Sequence, residues 1–145
     1  MRHIVLGVVL LSVATLPAAA QQAAEVAYVP SEKVAAAFSA GGRLGGAPDF
    51  AASGARRTGP GQVEVHEKET DIFYIVDGAA TFVTGGKMIG GKLTRPNQFL
   101  GTDIEGGTVH QLKKGDFISI PAGTPHWFKE VPQSINYYMV KVIKP

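Results

Sequence analysis

The sequence predicts an all-β domain with one short helix near its start. Three observations point there. Beyond residue 60 the apolar runs are short and rich in β-branched and aromatic residues, as in Asp71–Val76. Glycines recur in pairs between them, at Gly85-Gly86, Gly90-Gly91 and Gly106-Gly107, where tight turns need backbone freedom. No later stretch reads as a long helix. About ten short strands with this turn chemistry make a sandwich or a barrel, and 145 residues suit one domain.

Taken in order, residues 21–30 read as an extended arm. Ser31 is placed to cap a helix running to Phe38, which Gly41-Gly42 stops. Val34 and Phe38, four apart, share one face of it. The Gly/Ala-rich tract 40–61 offers an edge strand over Asp49–Ser53. Gln62–His66 is a strand, and Glu67–Thr70 joins it as a hairpin loop to the strand Asp71–Val76. Asp77-Gly78 reads as a turn into Ala79–Val83. Met88-Ile89, between glycine pairs, reads as a small extra hairpin. Arg95–Leu100 and Thr108–Leu112 follow as strands, then Phe117–Ile120, Pro125–Lys129 and Ile135–Ile143.

The first twenty residues carry an address. A basic start, Met1-Arg2-His3, precedes an apolar run from Ile4 to Leu16 that is too short to span a bilayer. Pro17-Ala18-Ala19-Ala20 then supplies small residues for a signal peptidase. The expectation is a signal peptide, residues 1–20, cleaved after Ala20, and a periplasmic or secreted protein with no membrane association afterwards. Cleavage removes one basic residue, Arg2, so the formal charge falls from +2 to +1. That is no footprint for nucleic acid or an anionic membrane. There is no cysteine, hence no disulfide framework and no thiolate chemistry. A nucleophilic triad is absent, and the glycine pairs lack the Lys-Ser/Thr of a phosphate loop.

The sharpest local pattern is Gly115, five residues, Pro121, one, Gly123, two, His126. Pro121 fixes its own φ and Gly123 accepts a positive one, so a rigid turn delivers His126 to a defined point. This spacing resembles the second motif of the cupin superfamily. A degenerate first motif lies upstream: Glu64-Val65-His66, four residues, Asp71, six residues, Gly78. Glu64 stands where the family has its first histidine, and Asp71 replaces a glutamate. Thr58 stands where a glycine is expected, with Gly59 and Gly61 just after it. The resemblance implies a double-stranded β-helix, or jelly-roll, cupin barrel over 58–145, preceded over 21–57 by the arm, helix and edge strand. It also selects the jelly roll over an immunoglobulin-like sandwich.

Residues two apart on a strand face one side, so Glu64 and His66 share a face. If that face is the interior, Asp71 joins them from the neighbouring strand and His126 from a third. Two imidazoles and two carboxylates suit one divalent ion, Mn, Fe, Ni, Zn or Co, with Glu64, His66, Asp71 and His126 as ligands. Asp71 and Glu64 are also candidates for acid/base work. Two close carboxylates in an apolar barrel repel each other, and a cation offsets this. His110 faces inward with Leu112, as a pocket acid/base or a satisfied histidine at the barrel edge. Lys68 is a solvated charge. One of Arg56 and Arg57 can reach the barrel mouth and hold an anion. Phe73, Ile75 and Phe128 face inward; Tyr74 and Trp127 face out.

These readings lead to an exported metal cupin acting on a small organic molecule, of oxygenase, lyase or isomerase type. The alternatives are a non-catalytic barrel binding a sugar or organic acid, and a structural protein. The resemblance also implies pairing into a homodimer through sheet edges, with Ser134–Ile143 taking part.

Overall fold

The computed structural model describes residues 25–145. The expected signal peptide, 1–20, lies outside the described residues. Helix α1 spans Ser31–Ala40 and ends at Gly41, φ 76°. Its first turn is capped by the Pro30 carbonyl, which accepts from the Lys33 and Val34 N–H groups. Ser31 makes no capping hydrogen bond, contrary to expectation, because Pro30 occupies the N-cap position and Ser31 lies inside the first turn. The helix docks on the outer face of a sheet. Ala37 is buried against Gly54, where any Cβ would come within 2.8 Å of the alanine methyl. Phe38 meets Tyr138 edge-on with ring centroids 4.7 Å apart. No helix among the described residues is long and apolar enough to cross a membrane.

Two antiparallel sheets form the barrel. The first orders β1 (Gly42–Ala47), β2 (Phe50–Arg57), β12 (Ile135–Ile143), the first half of β4 (Glu69–Thr84) and β10 (Phe117–Ile120). The second orders β9 (Thr108–Lys113), the second half of β4, β11 (His126–Glu130), β3 (Val63–His66), β7 (Gln98–Gly101) and β6 (Lys92–Arg95). A separate ribbon pairs β5 (Lys87–Ile89) with β8 (Asp103–Glu105).

The 16-residue strand β4 belongs to both sheets. Residues 69–78 pair with β12, and residues 79–84 pair with β9. The change of partner falls at Asp77-Gly78, which is therefore a bulged corner rather than the expected turn. Val76 is left unopposed between the pairs Ile75–Tyr137 and Asp77–Asn136. Gly78 takes φ 82°, and a Cβ there would lie 2.0 Å from the Ser134 carbonyl oxygen.

Other expectations change in the same way, because pairing across the barrel overrides local turn signals. Glu67-Lys68 is no hairpin loop: β3 pairs with β11 and β7, and the link steps from one sheet to the other. The expected strand Arg95–Leu100 is a hairpin, β6–β7, folded at Pro96-Asn97 with Asn97 at φ 63°. Met88-Ile89 lies in β5, whose partner is the distant β8. The expected edge strand at Asp49–Ser53 is longer and lies between β1 and β12.

Between the sheets Phe73, Phe82, Phe128 and Tyr137 interlock, with centroid distances from 4.6 Å for Phe82–Phe128 to 6.0 Å for Phe73–Phe82. Each such ring contributes roughly 2–3 kcal/mol by burial. The cluster fills the middle of the barrel and floors the polar cavity above it.

The corner gives a direct test. Gly78→Ala should lower the unfolding free energy measured in urea by roughly 3 kcal/mol or more, through positive φ and the carbonyl clash. Gly115→Ala, also at positive φ (90°) but with nothing within 4 Å of the added methyl, should cost only about 1 kcal/mol.

Candidate metal centre

The turn before β11 positions both histidines. The Thr124 N–H donates to the Pro121 carbonyl at 3.1 Å and closes it. Gly123, at φ 83°, donates its N–H to the His66 carbonyl at 2.7 Å, tying the turn to the end of β3. The Thr124 carbonyl accepts from His126 Nδ1 at 3.0 Å. That bond places the proton on Nδ1 and leaves the Nε2 lone pair directed inward. Glu64 lies opposite His126 in the β3–β11 register, so the two side chains are neighbours.

The four expected residues converge. Asp71 Oδ2 lies 3.6 Å from His66 Nε2 and 3.6 Å from His126 Nε2. Glu64 Oε2 lies 3.3 Å from His66 Nε2, and the imidazole centroids are 5.3 Å apart. His66, Asp71 and His126 are 3%, 2% and 5% exposed. Both ring nitrogens of His66 are buried without a hydrogen-bond partner. Donor atoms sharing one ion at about 2.1 Å lie about 3.0–3.4 Å apart, a spacing the 3.3–3.6 Å contacts approach. Glu64, His66 and His126 can each offer one atom within 4.8 Å of the others, and so can His66, Glu69 and Asp71.

Two residues at the centre were not anticipated. Lys141 Nζ lies 2.7 Å from Asp71 Oδ1 and 2.9 Å from Glu69 Oε2. Glu69 Oε2 in turn lies 3.6 Å from His66 Nδ1. Arg57 stands 3.9 Å from Glu64. Carboxylate repulsion is therefore already offset by protein cations, which corrects the expectation that a metal is needed for that purpose. Both newcomers follow the inward alternation of their strands: Glu69 precedes Asp71, Phe73 and Ile75, and Lys141 follows Tyr137 and Met139.

Environment tunes the groups. Burial pushes the Glu64 carboxyl up, but His66, His126 and Arg57 more than compensate and hold it below its usual range. Glu69 is likewise lowered, with Lys141 outweighing burial. Burial lowers His126 more than the Thr124 carbonyl and the carboxylates raise it, which keeps the ring neutral and fit to ligate. Burial raises the Tyr137 phenol despite the nearby Arg57 charge.

The centre opens on a cavity of about 60 Å³ lined by Arg57, Glu64, Asp71, His126, Tyr137 and Lys141, among others. Arg57 reaches the interior, whereas Arg56 is exposed and donates to Asn136 Oδ1 at 3.2 Å. His110 sits away from the centre and bonds Thr84 Oγ1 at 2.8 Å, a satisfied histidine at the barrel edge. Lys68 reaches the Pro145 oxygen at 3.1 Å. Phe73, Ile75 and Phe128 are buried and Tyr74 is exposed. Trp127 is half-buried, its indole N–H donating to the Gly61 carbonyl at 2.8 Å.

No protein-family profile matches the chain, and no curated protein matches it. Solved structures do. The cupin domain of Schizosaccharomyces pombe Cnp3 superposes with a TM-score of 0.52 at 15% identity, covering 71% of this chain and 59% of that one. The chain thus spans less than two thirds of that relative. KdgF from a Halomonas species gives 0.51 at 18% identity over 72% and 77%. BH2720 from Bacillus halodurans gives 0.51 at 13% identity over 71% and 69%. At such identities the likeness concerns the fold, and the chain has the cupin fold, a double-stranded β-helix.

The pH dependence follows from the buried groups. Below the usual imidazole value of 6.5 the unfolded chain binds a proton that folded His126 resists. Stability of chelator-treated protein should be full above that pH and fall as pH drops through it. Lowered Glu64 and Glu69 add a further loss below their usual 4.5. Urea unfolding from about pH 8 to pH 5 should show the first decline, and His126→Gln should flatten it.

Proposed function

We propose that this cupin-fold chain is an exported protein that holds one divalent metal ion among Glu64, His66, Asp71 and His126 and acts on a small organic molecule in the adjoining cavity. The observation that carries this reading is the pair of unpartnered, buried ring nitrogens on His66, facing a second imidazole whose tautomer is already set. Buried polar atoms without partners are costly, at about 1–3 kcal/mol each; an ion would satisfy Nε2, on the side of Glu64 and Asp71, while Nδ1 faces Glu69 Oε2 at 3.6 Å. Nitrogen and oxygen donors without thiolate suit Mn, Fe, Ni or Zn.

The residues divide the work. His66 and His126 are the nitrogen donors. Asp71 turns Oδ2 towards both imidazoles while Lys141 engages Oδ1, so it serves as a fixed ligand. Glu64 is more open, with a side chain 28% exposed at the cavity, and is the carboxylate placed to exchange a proton with a bound molecule. When bound, the ion would act as a Lewis acid on a carbonyl or hydroxyl oxygen. Oxygenase, lyase and isomerase chemistry all fit such a site, and the fold does not choose among them. Export is supported by the sequence of residues 1–20.

A second reading has its own support. Lys141 and Arg57 already oppose the carboxylates, so the barrel can be a metal-free binder of small molecules.

Elemental analysis separates the two. Protein purified from its native export compartment, without chelator or added metal, should carry about one divalent ion per chain. His66→Ala or His126→Ala should each lower metal affinity by about 100-fold or more. A folded, metal-free protein that still takes up a small ligand would support the second reading instead. Mass spectrometry of the same material should find the mature chain beginning at Gln21; an intact Met1 would contradict export by cleavage.

A further inference from the structure

Among the charged groups around the cavity, one is built into place yet has unmet hydrogen-bonding capacity. Arg57 leaves the first sheet on β2 and crosses to the second. Its guanidinium carbon lies 4.9 Å from the centroid of the Phe128 ring, a cation–π distance. It also fills the space beside Gly61, where a Cβ would fall 2.7 Å from Nη1. Gly61 is itself pinned: its N–H donates to the Phe128 carbonyl at 2.9 Å, and its carbonyl accepts from Trp127. The guanidinium plane is thus fixed by a ring below and backbone beside it. Its Nε is nevertheless buried without any acceptor, and Glu64, at 3.9 Å, is too distant for a hydrogen bond.

Lys141 is held differently: its ammonium donates to Asp71 Oδ1 at 2.7 Å and lies 2.9 Å from Glu69 Oε2. Among the described residues lining the cavity, Arg57 is the cation whose buried donor has no acceptor.

We propose that Arg57 anchors the carboxylate of a small organic acid, whose other end points toward the Glu64–His126 end of the cavity. The planar fork of a guanidinium matches a carboxylate with two parallel bonds. The volume agrees with a short acid: a cavity of about 60 Å³ takes a ligand of few heavy atoms. Charge also agrees. Among the lining groups Glu64 and Asp71 are matched by Arg57 and Lys141, so a divalent ion would leave the cavity net positive and draw in an anion. Metal and acid then favour each other's binding. This rests on the reading of the cavity as a small-molecule site, and it adds the chemical class of what enters.

Calorimetric titration with propionate and with its neutral isostere propionamide tests it, on protein whose metal content is measured beforehand. Wild type should prefer propionate by at least about tenfold. Arg57→Gln should abolish that preference while leaving metal content unchanged, since Arg57 is no ligand. Arg57→Lys, which keeps the charge and loses the fork, should retain only part of it and guards against a glutamine variant that fails to fold. An Arg57→Gln protein that melts as wild type and still prefers propionate overturns the proposal, as does a wild type with no preference. A metal-free wild type with an Arg57-dependent preference would leave the anchor standing and remove the metal reading. Stoichiometric metal without any preference would do the reverse.

Discussion

Three ionisable side chains crowd together at 5% exposure or less: Asp71 Oδ2 lies 3.6 Å from both His66 Nε2 and His126 Nε2. Removing such groups from water is unfavourable unless each finds a partner. The surrounding arrangement follows from that constraint. Lys141 engages one oxygen of Asp71, the Thr124 carbonyl engages one nitrogen of His126, and Arg57 counters Glu64. Of the three, His66 is left without a hydrogen bond, and its Nε2 is where a cation fits.

The barrel exists to bring these groups together. Had β4 turned at Asp77-Gly78, Asp71 would sit in a small hairpin with no second sheet to face. Because the strand bends at a bulge and continues, its first half carries Asp71 on one wall while its second half pairs with β11, which carries His126. The two-residue step at Glu67-Lys68 then sets His66 on one sheet and Asp71 on the other. The aromatic cluster beneath fixes the floor, so the polar groups meet at a depth that excludes most water.

Much of this was legible where the determinants are local. The Gly115-to-His126 spacing identifies the turn because proline and glycine act on their own backbone, and the turn holds both histidines. Alternation placed Glu64 with His66, and turned Phe73 and Ile75 inward with Asp71. What escaped the sequence depends on partners far along the chain. Asp77-Gly78 carries a strong turn signal, yet Ser134, over fifty residues later, makes it a corner. Strand β1, Gly42–Ala47, has almost no β-branched content and is ordered by pairing with β2 alone. Lys141 approaches Asp71 across seventy residues of sequence. Its inward phase after Tyr137 and Met139 was a readable signal, as was that of Glu69 before Asp71. The choice of Arg57 over Arg56 follows the same alternation.

The central claim is that the two imidazoles and their carboxylates share a cation. Crystals of protein taken from its native compartment, measured on both sides of the absorption edges of Mn, Fe, Ni and Zn, test it most directly. The account predicts one anomalous peak about 2.0–2.2 Å from the Nε2 atoms of His66 and His126 and from oxygens of Glu64 and Asp71. A centre without such a peak, in which His66 bonds instead to an ordered water or to a moved Glu69, would contradict it.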